Sequence, residues 1–287
     1  MKVEPITPQE PNTDEFRHPR RSYSWRGPLK SPQPSLEDEM LSLAGKTMVV
    51  VGGSRGVGRQ IVEEGIRNGA RVLAVARQEG PLKQLAEEIS GAQILTLDAT
   101  DEGAPSKVFS ALRPDIVVLC AGVFPPAAPL HEQSWQEFAV NWETDVKIAF
   151  HFCKAALTQP LPKGTAVILI SSGAALAGSP LTGGYAGAKR TLLFIANYSQ
   201  KESDRLGLGL RFMALAPRMM PDTELGRHAV KGYSSYLGIS EADFLRSMDS
   251  PAPPIDIAGA VIALAKNPDP SKGKAFIVSG RGFEPVS

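Results

Sequence analysis

From residue 46 onward, short apolar runs alternate with segments whose apolar residues recur at helical spacing. The runs predict strands, and the intervening segments predict helices. The predicted strands cover residues 47–51, 71–76, 93–97, 115–119, 166–170, 210–215 and 275–278. The predicted helices cover residues 57–68, 82–89, 106–112, 134–157, 185–205 and 255–266.

The predicted strands are continuously apolar and do not alternate between apolar and polar residues. Continuous apolar character is typical of strands that are buried on both faces, as in a parallel sheet covered by helices. Right-handed crossovers then give a doubly wound α/β sheet of about seven strands. We therefore predict one α/β domain over residues 41–287, without internal repeats.

Residues 1–40 differ from this domain, because they contain seven of the 24 prolines, mixed charges and few aliphatic residues. Such a segment buries too little apolar surface to offset the entropy lost on ordering, which predicts a flexible tail. An arm that packs on another subunit is the alternative. Phe16, Tyr23 and Trp25 would then be its anchors.

The composition excludes several functional classes. The formal net charge of the 287 residues is +1, so no global electrostatic attraction to nucleic acid or anionic membranes is expected. No apolar stretch approaches the roughly 18 residues of a membrane span. The two cysteines, Cys120 and Cys153, lie in apolar runs, which favours reduced thiols and a cytoplasmic location.

A glycine-rich loop separates the first predicted strand from the first predicted helix. Gly52, Gly56 and Gly58 permit a tight turn and a close approach of the backbone to a pyrophosphate at the helix N-terminus. The position of the loop, at the start of an alternating strand–helix series, favours dinucleotide binding. An ordinary glycine-rich turn is the alternative.

Two arginines indicate which dinucleotide binds. NAD binding usually places a carboxylate at the end of the second strand, but this strand ends at Arg77, and Arg55 lies within the glycine loop. Guanidinium groups match the geometry of a 2′-phosphate. We therefore predict that NADP(H) is preferred over NAD(H), unless both arginines are simply solvated.

Candidate catalytic residues follow the fifth predicted strand. Tyr185 and Lys189 are four residues apart and share a helix face, so the ammonium can stabilise the phenolate form of a general acid. Ser172, thirteen residues before the tyrosine, can donate to a substrate oxygen, with Ser171 as its rival. Asn141, inside the predicted helix 134–157, can hold a water that connects Lys189 to solvent.

The glycine loop and the ordered set Asn141, Ser172, Tyr185 and Lys189 resemble the short-chain dehydrogenase/reductase family, in its Tyr-x-x-x-Lys branch. The resemblance covers residues 43–280. It implies a Rossmann-like fold and hydride transfer between a nicotinamide and a carbonyl or secondary alcohol carbon. Ser172 would position the substrate oxygen, Tyr185 would protonate it, Lys189 would tune Tyr185 and hold the nicotinamide ribose, and Asn141 would support a proton relay.

The same resemblance implies a set of cofactor contacts and no metal site. For Asp98 it implies contact with the adenine, and a helix N-terminal carboxylate is the alternative. The assignment of a cofactor contact to Thr223 requires a shift of about one position relative to the family pattern. The implied cofactor-binding residues are Gly52, Ser54, Arg55, Gly56, Val57, Gly58, Arg77, Asp98, Ala99, Ala121, Gly122, Tyr185, Lys189, Pro217 and Thr223.

Three residues depart from the family pattern. Val51 stands for the usual Thr before the glycine loop, Cys120 for the Asn of Asn-Ala-Gly, and Arg218 for the Gly of Pro-Gly. Arg218 is either solvated or placed to meet an acidic group of the substrate. The departures keep open an alternative function, a catalytically silent protein of this fold that senses nucleotides or binds a partner.

Residues 219–254 are rich in apolar and aromatic side chains, which suits a small, fairly lipophilic ketone or secondary alcohol as substrate. The alternative is that these side chains are the core face of two short helices. The resemblance also implies a homodimer or homotetramer, built through the helices that begin near residues 134 and 185.

Overall fold

The computed structural model describes residues 43–159, 161–266 and 274–286. The predicted tail, residues 1–40, lies outside the described residues. The strands are β1 Thr47–Val51, β2 Arg71–Ala76, β3 Gln93–Thr96, β4 Ile116–Leu119, β5 Ala166–Ile170, β6 Arg211–Pro217, β7 Ala275–Ser279 and β8 Gly282–Pro285. The α-helices are α1 Gly56–Arg67, α2 Glu79–Glu88, α3 Ala104–Ala111, α4 Trp135–Asn141, α5 Lys147–Thr158, α6 Ala174–Ala177, α7 Gly183–Arg205, α8 Glu224–Leu237, α9 Glu241–Ser247 and α10 Pro254–Lys266.

The strands form one sheet in the order β3-β2-β1-β4-β5-β6-β7-β8. Strands β1 to β7 are parallel, and β8 pairs antiparallel with β7. The prediction of a doubly wound α/β sheet with seven parallel strands is confirmed. The eighth strand was not predicted, because its four exposed residues, Gly-Phe-Glu-Pro, carry no apolar run.

Each face of the sheet carries its own apolar cluster. Alternate residues of β1 point to opposite faces, so Met48 and Val50 pack with α1, α2 and α10, whereas Val49 and Val51 pack with α3, α5 and α7. Phe152 of α5 lies in the second cluster and is fully buried. Coverage of both faces explains why the strands are continuously apolar.

The predicted helix 134–157 is interrupted. Ser134 caps α4 by accepting a hydrogen bond from the Glu137 amide, and the Glu137 carboxylate accepts from the Ser134 amide in return. A π turn, Trp142–Val146, then separates α4 from α5. The predicted long helix is present over these residues, but apolar periodicity did not show the wider turn within it.

Helix α7 begins at Gly183, so Tyr185 and Lys189 lie in its first two turns. Helices α8 and α9 follow β6 and lie within residues 219–254, the segment rich in apolar and aromatic side chains. Within the described part of the chain, no helix combines the length and apolar character that a membrane span requires.

Candidate active site

The glycine loop after β1 turns within little space. Gly52 has φ +90°, and a Cβ there would lie 2.5 Å from the amide nitrogen of Ala121. A Cβ on Gly58 would lie 2.0 Å from the carbonyl oxygen of Gly52. Gly56 has φ +54°, a region that favours glycine. Side chains at Gly52 or Gly58 would collide with the backbone of the turn, so the loop presents its own backbone to a ligand.

The loop ends at the N-terminus of α1. Arg55 precedes the helix in an extended conformation, its side chain does not cap the helix, and the first turn contains no acidic residue. Amide groups at a helix N-terminus attract anions. The residues present therefore fit a dinucleotide whose pyrophosphate lies against the glycine loop.

Both arginines expected at the 2′-phosphate are exposed. Arg55 lies over the ring of Phe124, 5.6 Å from its centroid, and its Nη1 is 3.7 Å from Glu224 Oε2. Arg77 Nη1 is 4.0 Å from Asp98 Oδ2. Exposed ion pairs at these distances contribute little free energy, so either guanidinium is available to an incoming phosphate.

Asp98 shapes the loop after β3. Its Oδ1 accepts hydrogen bonds from the Thr100 amide at 2.9 Å and the Thr100 hydroxyl at 2.8 Å. The amide hydrogen bond is the largest influence that lowers the pKa of Asp98. Ala99 is buried against the core. The adenine contact implied for these two residues stays a prediction.

Tyr185 and Lys189 lie together on α7. The Lys189 Nζ atom is 5.7 Å from the centre of the Tyr185 ring and donates a hydrogen bond to the Ile170 carbonyl oxygen at 3.2 Å. Lys189 is buried, whereas Tyr185 is half-buried. A fixed cation thus lies next to a phenol that solvent or a substrate can reach.

The two serines after β5 have different surroundings. Ser171 is buried, and its hydroxyl donates to the Lys189 carbonyl oxygen at 2.7 Å. Ser172 is half-buried, and its Oγ accepts from the Ala174 amide at 3.2 Å, which leaves its own proton to donate. The geometry favours Ser172 as the substrate-orienting hydroxyl and gives Ser171 a structural contact.

Asn141 ends α4, and its Nδ2 donates to the Val123 carbonyl oxygen at 3.0 Å. The water-mediated link to Lys189 that was expected of it stays a prediction. The side chain that meets Lys189 is Asp145, whose Oδ2 lies 3.0 Å from Nζ. Sequence reasoning missed Asp145. Its position four residues after Asn141, on the same predicted helix face, was the available signal.

Lys189 keeps its charge despite burial. Burial is the largest influence and lowers the pKa of Lys189. The nearby Asp145 carboxylate, with Tyr185 and Cys120, outweighs burial, so the pKa lies above the ordinary range of lysine. The side chain is an ammonium at neutral pH and stabilises negative charge on its neighbours.

Cys120 follows β4, and its side chain lies close enough to Lys189 and Asp145 for their charges to act on it. Burial, the largest influence, raises the pKa of this thiol to about 11. A thiol that stays protonated at neutral pH is a poor nucleophile. Cys120 is therefore a packing residue at the site and not a reactive one. Cys153 is buried on α5, and both cysteines are unpaired thiols.

Arg218, which stands after Pro217 at the end of β6, is not simply solvated. Its Nη1 donates to Asp249 Oδ2 at 2.9 Å, and Arg281 donates to Oδ1 of the same carboxylate at 2.7 Å. The backbone of Pro217 accepts a hydrogen bond from the Gly173 amide at 2.7 Å. These contacts tie the loop before α10 to the carboxyl end of the sheet.

Thr223 caps α8. Its Oγ1 accepts from the Gly226 amide at 3.0 Å and donates to the Met220 carbonyl oxygen at 2.8 Å. A Cβ on Gly226 would lie 1.7 Å from that carbonyl oxygen, so the turn is tightly packed. The threonine therefore has a structural role as a helix cap, and its implied cofactor contact stays a prediction.

Part of the apolar segment after β6 is packing between helices. Tyr233 of α8 stacks on Phe244 of α9, with ring centres 5.7 Å apart, and its hydroxyl hydrogen-bonds to Ser179. Phe124, after β4, contacts His228 of α8 at 5.5 Å. The rings of α8 therefore face the loops that follow β4 and β5.

Comparison with known proteins agrees with this geometry. The sequence profile of the short chain dehydrogenase family matches residues 46–233. A short chain dehydrogenase/reductase, AacuD, of Aspergillus aculeatus is 28% identical over 72% of this chain and 75% of its own length. A short chain dehydrogenase of Pseudocercospora fijiensis is 31% identical over 64% of this chain and 62% of its own length. A solved structure of a short chain dehydrogenase/reductase family protein has the same fold, with TM-score 0.68 and 22% identity over 83% of this chain and 97% of its own. The chain therefore belongs to the short chain dehydrogenase family.

Proposed function

We propose that this oxidoreductase uses NADP(H) to interconvert a carbonyl and a secondary alcohol on a small, fairly lipophilic substrate. Family membership implies the oxidoreductase class and a nicotinamide cofactor. One observation carries the rest of the proposal: the buried ammonium of Lys189 lies 5.7 Å from the ring of the half-buried Tyr185. That pairing suits a phenol that gives and takes a proton.

The roles of the chain's own residues follow from their contacts. A bound nicotinamide supplies the hydride in reduction and accepts it in oxidation. The Ser172 hydroxyl donates to the substrate oxygen and orients it. Tyr185 donates its proton to that oxygen in reduction and takes it back in oxidation. Lys189 stabilises the phenolate that remains between these steps.

The preference for NADP(H) rests on charge near the glycine loop. Arg55 and Arg77 are exposed and in weak contact with carboxylates, so a 2′-phosphate can compete for both. The sequence after β2 continues with Gln78 and then Glu79, which opens α2. No carboxylate therefore occupies the end of β2, where NAD binding usually requires one.

Substitution of the tyrosine tests the proposed reaction. Tyr185→Phe removes the acid, and we expect kcat to fall by about 100-fold or more while the Kd for NADPH stays unchanged. Tyr198→Phe is the matched control, since it removes a hydroxyl from the same helix outside the proposed catalytic residues. Ketones and alcohols are screened by NADPH absorbance. Equal turnover of the two variants would contradict the proposal.

Substitution of an arginine tests the cofactor preference. We expect Arg77→Ala to raise the KM for NADPH about 10- to 100-fold and to leave that for NADH little changed, because a charge-assisted contact to phosphate contributes about 1.5–3 kcal/mol. Arg71→Ala, at the opposite end of the same strand, is the control. Wild-type protein with equal kcat/KM for both cofactors would refute the preference.

The alternative, a catalytically silent protein of this fold, is supported by two departures from the family pattern, at Cys120 and Arg218. Cys120 is an unreactive thiol at the site, and Arg218 is engaged by Asp249. A silent protein would bind NADPH yet turn over no member of a broad ketone and alcohol panel. Tyr185→Phe would then behave as wild type in every assay.

We further propose a cytoplasmic homo-oligomer that buries the outer face of α4, α5 and α7. Large apolar side chains are exposed on these helices, and exposed aromatic surface of this extent is typical of protein interfaces. They are Trp135, Trp142, Phe150, Phe194 and Tyr198.

A further inference from the structure

The side chain that meets the catalytic ammonium is a carboxylate. Asp145 Oδ2 lies 3.0 Å from Lys189 Nζ, and both side chains are almost fully buried. The tetrad that this chain resembles has an amide, but the amide of Asn141 donates to the Val123 carbonyl oxygen. In the described part of the chain, a carboxylate therefore contacts Lys189 directly.

Asp145 is held from several sides. The Val123 amide donates to its Oδ1 at 3.2 Å, and Asn141 Nδ2 lies 3.5 Å from the same oxygen. Gly122 packs against the carboxylate so closely that a Cβ there would lie 2.8 Å from Oδ2. The carboxylate thus joins the loop after β4 to the catalytic lysine, and the π turn that contains Asp145 fixes its direction.

We propose that Asp145 is a positioning residue for Lys189, because its carboxylate holds the buried ammonium in place beside Tyr185 and keeps it charged. This inference rests on the proposed function, because it concerns the lysine that supports proton exchange by Tyr185. An amide in place of the carboxylate would leave burial unopposed, and burial favours the neutral amine.

The surroundings of Lys189 contain few other charges. In the described ranges, the titratable groups that act on its ammonium are Asp145, Tyr185 and Cys120. The Cys120 thiol is neutral at neutral pH, and β5 contributes only the Ile170 carbonyl oxygen. Asp145 is therefore the group in this set that carries a negative charge in the resting protein.

The direction of the effect follows from one distance. The Asp145 carboxylate lies 3.0 Å from the Lys189 nitrogen, where its charge favours the protonated amine. Removal of that charge leaves burial as the larger influence, so the pKa of Lys189 should fall.

The test measures the titration of Lys189 directly. The full chain is labelled with carbon-13 at the lysine ε-carbon, and Lys189→Met assigns its signal. In Asp145→Asn we expect the titration midpoint of Lys189 to fall, because burial is then unopposed. The matched control is Glu143→Gln, which removes an exposed carboxylate from the same turn and should leave the midpoint unchanged because solvent screens it.

A midpoint that stays or rises in folded Asp145→Asn overturns the proposal. A second measurement needs no variant: the carbon-13 shift of the Asp145 carboxyl group at neutral pH must be that of a carboxylate, and the shift of a neutral acid also overturns it. Both readouts require no substrate, so they stand even if no ketone is reduced. Where turnover is found, the pH–rate profile should shift with the titration.

Discussion

Helices α4 and α7 touch at Gly184, the residue before the proposed catalytic tyrosine. A Cβ at this position would lie 2.0 Å from the carbonyl oxygen of Phe138. Carbon–oxygen contacts in proteins are ordinarily about 3.3 Å or longer. Gly184→Ala must therefore move the two helices apart by about 1 Å, because neither backbone atom is at the end of a flexible side chain.

The expected cost combines two terms. Overpacking costs about 1–3 kcal/mol, and alanine returns up to about 1 kcal/mol through its higher helix propensity. A net loss of about 1–2 kcal/mol lowers the Tm of a domain of this size by about 2–8 °C. Displacement of Tyr185 by about 1 Å should also lower kcat about 100-fold.

The neighbouring glycine provides the control. A Cβ on Gly183 would lie 3.8 Å from Cε2 of Phe138, an ordinary van der Waals contact. Gly183→Ala should keep its Tm within about 2 °C of wild type. Thermal unfolding by circular dichroism and NADPH turnover are measured for both variants. If Gly184→Ala matched Gly183→Ala in Tm and kcat, the close contact would not constrain the helices as argued.

Three other predictions concern the cofactor loop, a carboxylate and the helix surface. Gly58→Ala places a Cβ 2.0 Å from the Gly52 carbonyl oxygen, so the Kd for NADPH in a fluorescence titration should rise at least about tenfold. Gly80→Ala, which meets open space, should leave that Kd unchanged. The pKa of Asp98 is lowered on folding, so its charge stabilises the protein above the unfolded pKa of about 3.9 and less as pH falls below it. The Tm deficit of Asp98→Asn should therefore be present at pH 7 and shrink toward pH 3, and a deficit that grows in acid would contradict this. Phe194→Glu puts a charge on the exposed face of α7 and should lower the mass seen by analytical ultracentrifugation, whereas an unchanged mass would place the interface elsewhere.

The sequence predicted those features that depend on local pattern. Continuous apolar runs such as 47–51 identify strands covered on both faces, since few other environments tolerate them. The glycines at positions 52, 56 and 58 indicated a tight loop; a Cβ at Gly52 or Gly58 would collide with backbone, and Gly56 has a positive φ. Tyr185 and Lys189 share a face because four residues make about one helical turn.

Features that depend on tertiary contacts were missed. The π turn at Trp142–Val146 brings Asp145 to Lys189, and helical periodicity gives no sign of it. An aspartate within a helix is ordinarily solvated, so its burial is visible only once α7 is in place. The carboxylate shared by Arg218 and Arg281 joins residues more than thirty positions apart, which no local pattern specifies.

The two outermost strands of the sheet limit how this protein can associate. Strands β3 and β8 contain four residues each, and β8 ends in Pro285, which has no amide proton to donate. Short edge strands, one of which ends in a proline, offer few unpaired backbone groups to a strand of another molecule. Through these two described strands, copies of the chain are therefore poorly suited to join edge to edge into a continuous sheet, which favours helical surfaces for self-association.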